Sequence, residues 1–93
     1  MRSIRAHSLY TNMGASGFDV DGRAWHYLMG CGLNETQASV LLMIAKGASS
    51  QQISDTLGYS RGSINGARHV GYTRLRVHDR LGLIELLSQV DSL

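Results

Sequence analysis

An all-α domain of four to five short helices is the fold class this 93-residue chain predicts, on three observations. Apolar residues recur at spacings of three and four in several windows. Most of those windows open on Asn or Ser and close on Gly, the residues that start and stop helices. No period-two alternation of comparable quality marks a strand. With 43% hydrophobic and 17% charged residues, the chain carries enough apolar material for one compact core and too much for disorder. Its length allows one small domain and excludes a two-domain enzyme.

Residues 1–17 contain glycine and serine without periodicity and read as a mobile N-terminal arm or a loosely docked strand, leaving a single domain over 18–93. Asp21 to Met29 suggests a short helix, capped by Asp21, with Trp25, Leu28 and Met29 on one face and Gly30, Cys31 and Gly32 ending it. Asn34 then caps a stronger helix, Glu35 to Lys46, and Gln37 three residues later completes a capping box. Its apolar stripe is Val40, Leu41, Ile44 and Ala45, and Gly47 is its stop. Ser49 or Ser50 opens a helix of about two turns through Leu57, with Ile53 and Leu57 facing inward and Gly58 as stop. Ser60 caps a third helix that begins at Arg61 and runs on toward Arg80, and Leu83 to Val90 reads as a final short apolar helix.

The net charge of +2 is unevenly placed. In residues 1–60, Arg2, Arg5, Arg23 and Lys46 are balanced by Asp19, Asp21, Glu35 and Asp55. Residues 61–80 hold Arg61, Arg68, Arg74, Arg76 and Arg80 against Asp79 alone, with His69 and His78 able to add charge. Such a segment is the footprint of polyanion binding; a solvated helix face is the plainer alternative.

The stretch from Ser50 to His69 has the spacing of a helix-turn-helix. That motif needs apolar residues where its helices touch, a small one where they cross and glycine where the chain turns. Ile53 and Leu57 face inward from the first helix, Ser54 is small at the crossing, Gly58 takes the turn and Tyr59 plugs beneath it. Ile64 and Ala67 face inward from the second helix.

The run from Leu33 through Asn34, Glu35 and Gln37 to Val40, Leu41, Ile44, Ala45, Gly47 and Ser49 resembles the opening of the LuxR/GerE family of bacterial DNA-binding domains. That family reads L-T-x-R-E-x-E-V-L-x-L-I-A-x-G-x-S followed by N-K-E-I-A-x-x-L-x-I-S-x-x-T-V-K, and Ser50 to Asn65 continues it without a gap through Ile53, Ser54, Leu57, Ser60 and Ile64. The resemblance implies a transcriptional regulator built on a four-helix DNA-binding domain that pairs through its last helix. There are departures: the family's acidic residues become Gln37 and Ser39, its lysine becomes Asn65, and a histidine two further on becomes Ala67. Its K-L-G-V is echoed by Arg80, Leu81, Gly82 and Leu83 about six residues late, so either the recognition helix is longer or a loop is inserted.

Side-chain chemistry assigns roles. Arginine grips guanine bidentately and asparagine grips adenine, so Asn65 and Arg68 are the first candidates for base contact, with Arg61, Ser63 and His69 beside them. Ser50 and Gln51, with Ser49 and Gln52, stand at a helix N-terminus suited to a phosphate. Arg74, Arg76 and Lys46 are supplementary phosphate contacts. Glycines at 62, 66 and 71 either loosen the recognition helix until DNA orders it or permit a close approach of its backbone.

Other chemistries lack their parts. The four histidines and Cys31 show no metal-ligand spacing, Asp19 to Gly22 begins a calcium loop without its closing glutamate, and Cys31 has no nearby base. No catalysis, metal or cofactor is expected. No stretch approaches the roughly 20 apolar residues of a membrane span. The basic first ten residues lead into no apolar segment of the secretory kind, and a lone cysteine suits a reducing cytoplasm. The expectation is a cytoplasmic, sequence-specific regulator that binds double-stranded DNA as a homodimer. Val70, Leu75, Val77, Leu81, Leu83, Ile84, Leu86 and Leu87 exceed what the motif needs, which makes residues 70–90 the candidate dimerisation region; simple core packing against Trp25 and Leu28 is the plainer alternative. The alternative is an interaction module that keeps the fold and binds or heterodimerises with another regulator.

Overall fold

The computed structural model describes residues 22–91, which form five helices and, among the described residues, no strand. They are α1 (Arg23–Gly30), α2 (Glu35–Ala45), α3 (Ser50–Leu57), α4 (Arg61–Leu75) and α5 (Arg80–Asp91). The sequence-predicted arm over 1–17 and the Asp21 cap lie outside the described residues. In place of a side-chain cap, α1 starts from Gly22 in the left-handed region, φ 77°.

The helix starts follow local chemistry. Asn34 Oδ1 accepts from the Gln37 N–H at 2.8 Å while Gln37 Oε1 accepts from the Asn34 N–H at 3.0 Å, which closes the expected capping box on α2. The choice left open at α3 falls on Ser49, whose hydroxyl accepts from the Gln52 N–H and whose own N–H donates to Gln52 Oε1. Ser60 Oγ accepts from the Ser63 N–H at 3.2 Å and starts α4. The last helix begins three residues earlier than Leu83, because Asp79 Oδ1 accepts from the Gly82 N–H at 2.8 Å and opens a turn there.

Helix ends repeat one device. Gly32 (φ 92°) and Gly47 (φ 99°) turn left-handed just after α1 and α2, and the next N–H bonds back to the final turn, from Leu33 to the Leu28 carbonyl and from Ala48 to the Met43 carbonyl. Gly58, φ 79°, stops α3. The end of α4 has the same hydrogen bond, from the Val77 N–H to the Tyr72 carbonyl at 3.0 Å, but its left-handed residue is Arg76, φ 60°. Instead of running to Arg80, α4 therefore closes at Leu75, and residues 76–79 connect it to α5.

The core is organised around α2, which packs against each of the other four helices. All seven residues from Ala38 to Ile44 are buried, so the expected stripe of Val40, Leu41, Ile44 and Ala45 is too narrow. A helix apolar on every side belongs in the middle of its neighbours. Trp25 and Leu28 of α1 join Leu83 and Leu87 of α5 in the same core, with Ile53 and Ile64 from α3 and α4. Of the apolar residues beyond the motif, Leu83 and Leu87 are fully enclosed, and Leu75 and Val77 pack against the core as half-buried side chains. Val70 and Leu81 remain exposed, Leu81 at 64%. No helix among the described residues is long and apolar enough to cross a membrane.

Candidate nucleic-acid interface

Residues Gly58 to Ser60 join α3 to α4, and the two helices pack on each other as the motif requires. Ile53 and Ile64 are the apolar contacts at full burial, whereas Leu57 and Ala67 are half-buried at the edge of the core. Ser54, at the crossing, donates its hydroxyl to the Tyr59 carbonyl and ties α3 to the turn. Tyr59 does not plug the turn from beneath. It is 46% exposed, and its phenol lies 3.5 Å from Thr36 Oγ1, against the first turn of α2.

The motif places six of the candidate residues on one helix. Arg61, Ser63, Asn65, Arg68, His69 and Arg74 all belong to α4, and all are exposed. At about 100° per residue, Arg61, Asn65 and Arg68 fall on one ridge and His69 stands one turn beyond Asn65, while Ser63 lies on the opposite flank. Ser63 also receives the Ser60 hydroxyl at 3.1 Å, which settles it beside the cap. Between the flanks are Gly62 and Gly66, exposed and without side chains. A Cβ at Gly66 would meet nothing within 4 Å, and one at Gly62 would meet only Ser60 Oγ, at 3.9 Å.

Ser50 and Gln51 stand apart, on the first turn of α3. Ser50 is half-buried, and Gln51 donates to Asp55 Oδ1 at 2.8 Å. The adjacent Ser49 and Gln52 are engaged in their capping box.

Arg74 reaches across to the connection between α1 and α2, where Nη1 donates to the Cys31 carbonyl at 3.3 Å. Its guanidinium lies so close over Gly32 that a Cβ there would stand 2.5 Å from Nη1. The backbone angle is what requires glycine at 32, since the tip of the flexible arginine could give way to a Cβ. Beside Arg74, a shallow groove runs along the C-terminal half of α4, lined by His69, Val70, Thr73, Arg74 and Arg76. Sequence reasoning named the charged members of that lining but not the groove, since no spacing rule places Arg76 beside His69 and Thr73 unless the helix ends in a left-handed residue.

The electrostatics bear on the inner edge of the ridge. Burial pushes the Tyr72 phenol above its ordinary value of 10.0; Arg68 and Arg80 draw it down, and Asp79 adds to the rise. Arg68 therefore lies near enough to Tyr72 to be felt there. Burial also raises the Tyr27 phenol on α1, helped by its hydrogen bond with Cys31. Among the described residues no three His, Cys, Asp or Glu side chains gather as a metal site would require.

Comparison with protein families matches residues 32–87 to the family described as bacterial regulatory proteins, luxR family. No curated protein and no solved structure gave a match.

Proposed function

The chain belongs to the luxR family of bacterial regulatory proteins, a family of DNA-binding helix-turn-helix regulators, and from that membership we propose that α4 reads duplex DNA in the major groove as one half of a homodimer. One observation carries the reading. Ile64 is buried to 1% exposure and pins α4 to the core, while Arg61, Ser63, Asn65, Arg68 and His69 around it all face solvent. A helix anchored by one face and polar on the others is built to enter a groove.

In this reading Asn65 and Arg68 contact base edges, with Arg61, Ser63 and His69 flanking them. Ser50 and Gln51 approach a phosphate at the N-terminus of α3, and Arg74 supplies a further backbone contact. Two copies joined within residues 70–90, through the exposed Leu81, would set two α4 helices at half-sites one DNA turn apart.

The test is selection of bound fragments from random duplex DNA, followed by titration of the Asn65→Ala/Arg68→Ala double variant. A two-fold symmetric product and a loss of tenfold or more in affinity are expected, since each good base contact contributes about 1–3 kcal/mol. Undiminished affinity in the double variant overturns the base-reading role. The exposure of Leu81 favours a second reading, in which the same fold binds another regulator; native protein without salt-dependent DNA binding decides for it.

A further inference from the structure

Arg76 is the one non-glycine among the described residues with a left-handed backbone, in a molecule that uses glycine for this conformation after α1, α2 and α3. Its left-handed turn is compatible with glycine, because the hydrogen bonds that close α4 are backbone bonds and ask nothing of the side chain. Here it carries a long, exposed cation instead. The same turn brings Arg76 into the groove beside Arg74, Thr73 and His69. Arg74 is already held in place through the Cys31 carbonyl, which commits one of its five N–H donors and leaves the rest of the fork.

We propose that this groove at the C-terminal end of α4 seats the sugar–phosphate backbone of DNA, with Arg76 and Arg74 as the paired cations and the Thr73 hydroxyl between them. The placement fits the dimensions of the duplex. Thr73 stands about 12 Å along the helix axis from Asn65 at about 1.5 Å per residue, and within a quarter turn of its face at about 100° per residue, and the major groove is about 12 Å wide. A helix with Asn65 at the base edges thus brings its last turn to the rim, where phosphates lie. Arginine suits that position because its planar fork matches phosphate oxygens.

The inference rests on the DNA-binding reading above, and its test separates the two. The full chain is titrated with a mixed-sequence duplex over a range of salt concentrations, as native protein and as the variants Arg76→Gly, Arg76→Asn and Arg76→Lys. Glycine and asparagine both accept the left-handed backbone, so each keeps the fold, as thermal melting will check. Both are expected to bind about threefold to tenfold more weakly than native protein, with the slope of log affinity against log salt reduced by about 0.9, the loss of one phosphate contact. Arg76→Lys is expected to keep the slope. Native affinity and slope in Arg76→Gly and Arg76→Asn overturn the groove while leaving base reading by Asn65 and Arg68 intact. A slope reduced in Arg76→Lys as much as in Arg76→Gly also overturns it, because lysine retains the charge. If native protein shows no salt-dependent binding, both readings fall.

Discussion

The backbone of Gly71 runs directly against the side chain of Leu41: a Cβ added to the glycine would stand 2.6 Å from Leu41 Cδ1 and 3.1 Å from Cδ2. Both residues are buried, one on α4 and the other in the middle of α2. Helix α4 is therefore seated on the central helix at a spacing that only glycine permits.

Gly71→Ala forces that seat apart. Overpacking a tight contact costs about 1–3 kcal/mol, more than the helix-forming advantage of alanine returns. Urea denaturation followed by Trp25 fluorescence should show the midpoint fall by that amount. An unchanged midpoint would mean that α4 shifts freely on α2.

Gly66→Ala should act in the opposite direction. Nothing lies within 4 Å of a Cβ at that position, so the substitution gains about 1 kcal/mol of helix propensity without a clash. A higher thermal midpoint is expected, and a lower one would disprove the open outer face described for α4.

Ser39 is 1% exposed, and its hydroxyl has no hydrogen-bond partner. An unsatisfied buried donor costs about 1–3 kcal/mol, and alanine is also the better helix former. Ser39→Ala is accordingly expected to stabilise the fold by about 1 kcal/mol or more in the same denaturation assay; destabilisation would reveal a partner for the hydroxyl.

Alkaline titration provides a fourth check. Burial raises the Tyr72 phenol above 10.0 in the folded chain, so below pH 10 the group is neutral in both states and its contribution is intact. As pH climbs past 10 the unfolded chain loses this proton first, and stability falls until the folded-state value is passed. Tyr72→Phe should flatten part of the decline in melting temperature above pH 10, with Tyr27, raised for the same reason, accounting for a further part. A decline of the same steepness in the variant would remove Tyr72 from the account.

Much of this fold was legible because helix starts are local events. Asn34 with Gln37, Ser49 with Gln52, and Ser60 each satisfy N–H groups within three residues, so the spacing alone predicts them. Asp79 ahead of Gly82 offered the same cue for α5. The all-round burial of α2 was hidden for a different reason: when Ala38 to Ile44 are nearly all apolar, periodicity has no polar face to measure against. The end of α4 was hidden because the usual signal of a left-handed stop is glycine or asparagine, and Arg76 supplies neither. Of the candidate site, the grouping of Arg61, Asn65 and Arg68 on one helix followed from spacing. The tie from Arg74 to Cys31 spans 43 residues and exists only once α4 is brought against the connection between α1 and α2.

The enclosure of α2 also sets a clock. Its central amides, around Val40 to Ile44, lie under every other helix and sit in intact helical hydrogen bonds, so deuterium reaches them only when the whole domain opens. The slowest-exchanging protons in the molecule thus report its global unfolding free energy directly, while the exposed outer turns of α4 exchange through far smaller openings of their own.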